Sequence, residues 1–350
     1  MNERRQKLRE LMAERGFEGL LLVPGPDMTY LTGFREEQSD RPIFFVIGDS
    51  EWLIAPEIYE EQLRSMEMEG ITLEIWKEGD LDGCYELLGS MLRGKVAIDD
   101  RMSFSSFNEM SKRVKGGHIY LPASSLIRGM RMVKDGDEVK RLREASRIAY
   151  ESLRAISGDI KDLRGKREIE VAAELEYEMK RRGCPPSFET IAASGANSAM
   201  PHARPGSGEV GANLVLDFGC FYRNYSSDMT RTFIFEQDGR LERIYKVVGE
   251  AQRRAIEVVG EGVKAKEVDR VARDHITENG WGDYFIHRTG HGIGLEVHEE
   301  PQISKESETV LKAGMVFSVE PGIYIPGKYG VRIEDVVVVT ESGCEVLGGC

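Results

Sequence analysis

From Val139 onward the sequence runs through one order of elements twice, and this duplication constrains the fold more than any other feature. Val139, Leu142, Ala145, Ala149, Leu153 and Ile156 fall at helical spacing. Ile169, Ala172, Leu175 and Met179 do so again, so two consecutive helices are expected before a set of strands. Further on, Ile244, Val248, Ala251, Ala255 and Val258 mark one helix and Val268, Ala272 and Ile276 another, and strands follow once more. Runs of helices followed by strands, in place of a βαβ alternation, make an α+β layer: a curved sheet with helices packed on one side.

The part before this repeat has a different texture. A charged helix over residues 3–15 leads to the apolar strand at residues 20–23, and strand-like runs recur at residues 43–47, 52–55, 73–76, 96–98 and 118–121. Helical stretches at residues 59–66 and 81–92 lie between them, which predicts an α/β domain over residues 1–124. Residues 123–136 read as a connector, and residues 125–350 form the second domain. A chain of 350 residues fits two such domains.

Each half of the duplicated region carries acids in strands. Asp217 ends the apolar run Leu214-Val215-Leu216, and Asp228 follows eleven residues later in Ser226-Ser227-Asp228-Met229-Thr230-Arg231. In the second half Glu320 ends Val316-Phe317-Ser318-Val319, and Glu334 lies fourteen residues on, before the run from Val336 to Val339. A buried, ionised carboxylate is costly unless a cation or hydrogen bonds compensate it. One such acid could pair with an arginine, as Asp217 with Arg231 or Arg332, or cap a turn, as Glu320 before Pro321-Gly322. Four at duplicated positions point instead to a shared cation site.

A nitrogen donor is also at hand. Of six histidines, His287, His291 and His298 fall in one short segment, with His291 inside Thr289-Gly290-His291-Gly292-Ile293-Gly294. These glycines lack the Lys-Ser/Thr pair of a phosphate loop. They let the backbone approach closely, so that the imidazole projects into a site. Four carboxylates with one imidazole suit two divalent ions of the Mn, Co, Fe or Zn kind, whose charge four acids would neutralise.

With these motifs the second domain resembles the pita-bread metallopeptidases, and among them the prolidase and aminopeptidase P branch; the likeness extends more loosely to the first domain. The resemblance implies a creatinase-like α/β domain followed by a pita-bread domain with two pseudo-symmetric ααβ halves around a curved antiparallel sheet. It also implies the metal ligands Asp217, Asp228, His291, Glu320 and Glu334, with Asp228 and Glu334 bridging two ions, Mn(II) or Co(II) before Zn(II) or Fe(II). His202, in Met200-Pro201-His202, and His298 match positions that contact substrate, the first beside the leaving proline and the second at the tetrahedral intermediate. Phe188 and Val297 match residues lining the proline pocket. Glu320 is the expected proton acceptor for a hydroxide formed from water between the ions. Arg332, two residues before Glu334 on one strand face, is placed to hydrogen-bond Asp217.

The activity so implied is hydrolysis of Xaa-Pro bonds, in dipeptides first. The alternatives are an aminopeptidase P acting on longer peptides and a metal-bound homologue that binds peptides without cleaving them. Several prolidases carry a basic residue after the His-Glu-x-Pro stretch, where this chain has Gln302. The loop of residues 34–41, with Arg35 and Arg41, can reach a partner's active site in the family's dimers, and a homodimer is the expectation. Charge narrows the other classes: 47 Lys+Arg against 60 Asp+Glu leave −13, which disfavours nucleic-acid partners. No apolar run approaches the roughly 20 residues of a bilayer span. No signal-peptide pattern follows Met1, so a cytoplasmic chain is expected. Cys84, Cys184, Cys220, Cys344 and Cys350 are widely spaced, which predicts reduced thiols, Cys350 being the most exposed.

Overall fold

The structure, a computed structural model, describes residues 2–158 and 160–348, so Cys350 lies outside the described residues. The chain divides into two compact units, Met1–Arg131 and Met132–Cys350.

In the first unit a six-stranded mixed sheet runs in the order Thr72–Trp76, Glu51–Pro56, Phe44–Ile47, Gly19–Leu22, Lys95–Ile98, Ile119–Pro122. The strand Gly19–Leu22 is buried along its whole length, as expected of a central strand covered on both faces. Leu21, Val46, Ile54 and Val96 share one core with Leu88 and Met110 from the flanking helices Leu81–Met91 and Phe104–Arg113. The segment read as a connector is, over most of its length, the helix Ser124–Met132, with Leu126, Ile127 and Met130 buried. Its last turn ties back to the first unit through Arg131, whose guanidinium donates to Asp27 at 2.7 Å. The two compact units part between Arg131 and Met132, at the end of this helix. Residues 34–41 form no helix or strand; Phe34 is buried, and Arg41 pairs with Glu78 at 2.9 Å.

The second unit shows the duplication. Helices Gly136–Ile156 and Glu168–Arg181 precede a three-stranded antiparallel sheet in the order Met229–Ile234, Asn213–Phe218, Ile191–Ala193. Asp135 caps the first helix, accepting from the amides of Asp137 and Glu138, and the Glu138 side chain returns the bond. Helices Gly239–Glu257 and Ala265–Glu278 precede a five-stranded antiparallel sheet in the order Glu299–Ile303, Gly290–Gly292, Val316–Val319, Asp335–Thr340, Gly343–Leu347. A hairpin of Gly322–Ile325 and Tyr329–Arg332 completes this half. Each half buries its helices against its own strands, with Leu175, Leu214 and Leu216 in one core and Val248, Phe317 and Val337 in the other.

One seam between the halves lies where the ends of their sheets meet. The Glu334 amide donates to the Thr230 carbonyl at 3.1 Å, and Thr232 Oγ1 donates to the Arg332 carbonyl at 2.7 Å. The ends of both sheets thus meet around Thr230 and Glu334.

Candidate metal centre and active site

All the sequence-derived acids lie at strand ends near that seam. Asp217 is the penultimate residue of Asn213–Phe218 and faces Thr230 across the ladder; Asp228 immediately precedes Met229–Ile234. Glu320 follows Val316–Val319, and Glu334 sits between Tyr329–Arg332 and Asp335–Thr340. His291 is the centre of Gly290–Gly292, in contact with strands on both sides. Its flanking glycines are required by that crowding: a Cβ on Gly290 would run into the Ser318 carbonyl and one on Gly292 into the Glu300 carbonyl. Together with Phe188, His202, Val297, His298 and Arg332, these five residues line one cavity of about 780 Å³.

Within it, Asp228, His291 and Glu334 are nearly inaccessible to solvent, and one donor atom from each falls within 4.8 Å of the others. His291 Nε2 lies 3.2 Å from Glu320 Oε1 and 3.7 Å from Asp228 Oδ2. Its Nδ1 donates to the Gly292 carbonyl at 3.2 Å, which turns Nε2 towards the acids. Nε2 is thus turned towards two carboxylates, where a cation would also be held.

The acids themselves are under-compensated. Arg332 Nη2 donates to Asp217 Oδ2 at 2.6 Å, and Thr230 Oγ1 donates to Glu334 Oε2 at 2.7 Å. Among the described residues, Asp217 Oδ1 and Glu334 Oε1 are buried with no hydrogen-bond partner. Burial, then the neighbouring carboxylates, push Asp228 and Glu334 well above the usual carboxylate range. Burial raises Asp217 as well, in spite of Arg332. Glu320 goes the other way: burial pushes it up, but the hydrogen bond with His291 and the surrounding positive groups outweigh that and hold it low. Orphaned oxygens, an imidazole nitrogen turned towards carboxylates and acids that resist ionisation suit a site shaped for divalent cations. The residues fit the group.

His298 packs edge-on against His291 with ring centroids 4.1 Å apart, and burial first, then the charges of His291 and Arg288, bring it down to about 4. His202 stands exposed on the wall of the cavity, in the loop after Gly195–Ser198, while Phe188 and Val297 are half-buried there. Two residues had no role in the sequence reading. His287 also lines the cavity, and its Nε2 accepts from Tyr324 Oη at 2.9 Å, while its Nδ1 donates to the Arg288 carbonyl at 2.7 Å. Tyr324 Oη in turn accepts from Arg332 Nη1 at 2.8 Å, so a continuous polar chain runs from His287 through Tyr324 and Arg332 to Asp217. The one signal for it was a tyrosine inside an otherwise apolar strand, whose phenol needs a partner when buried.

Residues 140–341 match metallopeptidase family M24, and residues 4–133 match the creatinase/prolidase N-terminal domain. The chain belongs to metallopeptidase family M24. A curated M24-like relative, an Xaa-Pro dipeptidase of Pyrococcus furiosus, is 39% identical over 99% of this chain and 98% of its own length. Among solved structures, the prolidase of Pyrococcus horikoshii is similar with a TM-score of 0.91 at 35% identity, covering 99% of this chain and 98% of that one. An X-Pro aminopeptidase of Thermotoga maritima is similar with a TM-score of 0.85 at 34% identity, covering 97% of each chain. The fold is the pita-bread fold behind a creatinase-type first domain, and the chain is a peptidase of a family that works with divalent metal ions. Among the described residues no helix is long and apolar enough to cross a membrane.

Proposed function

We propose that this M24 peptidase hydrolyses Xaa-Pro bonds, in dipeptides first, with two divalent ions held by Asp217, Asp228, His291, Glu320 and Glu334, the carboxylates of Asp228 and Glu334 being common to both. The observation that carries the reading is the crowding of four carboxylates against one buried guanidinium, Arg332, in a single cavity. The three uncompensated charges exceed what one divalent ion balances. The oxygen-rich donor set suits Mn(II) or Co(II), with Zn(II) and Fe(II) also compatible. When bound, such ions polarise a carbonyl and bring the pKa of water from about 15.7 to about 7.

The chain's own residues supply the rest. Glu320, in the same cavity and held low where its neighbours are pushed up, is the group we assign as proton acceptor, passing the proton to the leaving nitrogen. Asp228 and Glu334 are pushed the opposite way and are better suited to holding cations. His298, neutral near pH 7, can donate an N–H to the oxygen of the scissile carbonyl. Asp217 is oriented by Arg332, which itself is fixed by Thr230 Oγ1, Tyr324 Oη and the Pro201 carbonyl.

The reading of proline specificity is supported by the half-buried Phe188 and Val297, which line the same cavity as His202, and by the likeness to an Xaa-Pro dipeptidase. An Xaa-Pro bond has no amide N–H, so a site that recognises it must use ring contact and carbonyl polarisation in place of that donor. The likeness to an X-Pro aminopeptidase keeps a second reading open, in which longer Xaa-Pro peptides lose their first residue. The test compares an Xaa-Pro dipeptide with an Xaa-Pro-Xaa tripeptide, with Mn(II) or Co(II) added and Asp228→Asn as control. Faster cleavage of the tripeptide selects the aminopeptidase, and no cleavage of either by the metal-loaded wild type leaves a peptide-binding homologue.

A further inference from the structure

Three arginines line the cavity, and two are committed. Arg332 is spent on Asp217 and its three other partners, and Arg204 faces Glu189 at 3.7 Å with both side chains largely in solvent. Arg288 is different. It is only partly exposed, it lines the same cavity, and among the described residues its guanidinium forms no hydrogen bond or ion pair. Its charge is felt at His298, which places it within reach of the part of the cavity where substrate would lie.

A half-buried guanidinium without a counter-ion has lost part of its hydration and gained nothing in return. Its planar fork of donors matches a carboxylate in a two-point contact. The position after His298-Glu299-Glu300-Pro301 cannot supply such a charge, because it holds the neutral Gln302, whose Nε2 turns to the Glu299 carbonyl. The two faces of the site are therefore unlike: a cation-hungry cluster around Asp228 and Glu334, and an unpaired cation at Arg288. A free dipeptide carries its one carboxylate a single residue beyond the scissile bond, whereas a longer peptide has a neutral amide there.

We propose that Arg288 is a specificity-determining residue that receives the C-terminal carboxylate of a dipeptide, and so biases the site towards free dipeptides over longer chains. This rests on the Xaa-Pro reading above, and the test separates the two. Binding of Ala-Pro and of its C-terminal amide is measured by calorimetry on the metal-free full chain and on the Mn(II)-loaded chain, for wild type, Arg288→Gln and Arg288→Lys. Wild type should prefer the acid over the amide by about 10- to 100-fold, the scale of a charge-assisted contact. Arg288→Gln should bring that ratio close to one, and Arg288→Lys should restore part of it. In turnover the same loss should fall on KM for the dipeptide, with the ratio of dipeptide to amide collapsing while kcat holds. An acid-to-amide ratio that is unchanged in Arg288→Gln, or that is near one already in wild type, overturns the proposal. Binding too weak to detect for both probes overturns it too. A ratio that behaves as stated in a chain with no turnover sinks the enzymatic reading and leaves Arg288 as the carboxylate receptor.

Discussion

Glu168 shows how far from the cations the site is held in place. Its carboxylate is buried at the first turn of Glu168–Arg181, where the helix dipole favours an anion. Oε1 accepts from the Ser194 amide at 2.7 Å, and Oε2 accepts from Asn197 Nδ2 at 2.7 Å and the Gly206 amide at 3.0 Å. The three donors bracket residues 194–206, the loop that carries His202 and the Pro201 carbonyl bonded to Arg332. Glu168→Gln keeps the shape but offers one acceptor oxygen where there were two. If that oxygen takes the Oε2 place, the buried Ser194 amide is orphaned, at about 1–3 kcal/mol. The two surviving bonds also lose charge assistance, about 1 kcal/mol each by the difference between charged and neutral bonds. The loop should therefore be loosened by about 3–5 kcal/mol, roughly a 150- to 4,000-fold rise in its opening equilibrium. Amide hydrogen exchange read by mass spectrometry on a peptide spanning residues 194–206 should accelerate by about that factor, while the peptide covering Val316–Val319 keeps its protection. Peptidase kcat/KM should fall with Mn(II) affinity intact, because none of the five clustered residues touches Glu168. An unchanged exchange rate in the loop, or equal loosening across the unit, would refute the clamp.

Other perturbations have outcomes set by named contacts. Arg332→Met removes a buried guanidinium and strands Asp217 without a cation, which should cost about 3–5 kcal/mol in urea denaturation of the metal-free chain. A loss under about 1 kcal/mol would mean that Asp217 finds other compensation. In the first unit, burial pushes the Asp99 carboxyl up, the Arg101 amide restrains it and Asp27 adds to the rise, giving about 6. A raised folded value favours the protonated form, so this group's stabilisation is complete below about pH 4 and is lost as pH rises through about 6. Asp99→Asn should accordingly gain on wild type by about 3 kcal/mol between about pH 4 and about pH 7, and parallel stability curves would contradict it. Chelation with EDTA should abolish activity and lower the melting temperature, and Mn(II) at 100 times its Kd should restore about 2.7 kcal/mol; a melting curve indifferent to both would show that the cluster holds no cation.

The acids and His291 were legible because burying charge in strands is costly enough to leave a pattern in the sequence. Apolar runs end on Asp217 and Glu320, and glycines flank the histidine where neighbouring carbonyls leave no room for a side chain. The duplicated helices were legible through period alone. The helix Ser124–Met132 was not, because Gly129 and its arginines mask a short apolar stripe at Leu126, Ile127 and Met130. Nor could the chain from His287 through Tyr324 to Arg332 be read, since it depends on which rungs of Gly322–Ile325 and Tyr329–Arg332 face each other. Glu168 and Arg288 carry no local signature: one looks like any acid in a first turn, the other like any surface cation, until the fold gives one three donors and the other, among the described residues, no acceptor.

Strand pairing, and not the cations, sets the spacing of the central acids. Side chains alternate along Met229–Ile234, so Thr230 points at the cluster and Arg231 away from it. Thr230 Oγ1 holds Glu334 Oε2 from the front, while Arg231 Nη1 donates to the Glu334 carbonyl at 2.5 Å from behind. Arg231 Nη2 is fixed by Asp335 at 2.7 Å, and Asp335 by Gln252 at 2.8 Å. Glu334 is thereby stapled to the strand that begins beside Asp228 from both faces, in addition to its own amide bond to the Thr230 carbonyl. Cations entering such a site need move little backbone, and the cost of preorganisation falls on the metal-free state as protons retained by Asp228 and Glu334. Loosening the rear staple should then weaken metal binding without altering a single donor atom, because the acids would relax apart under their own repulsion.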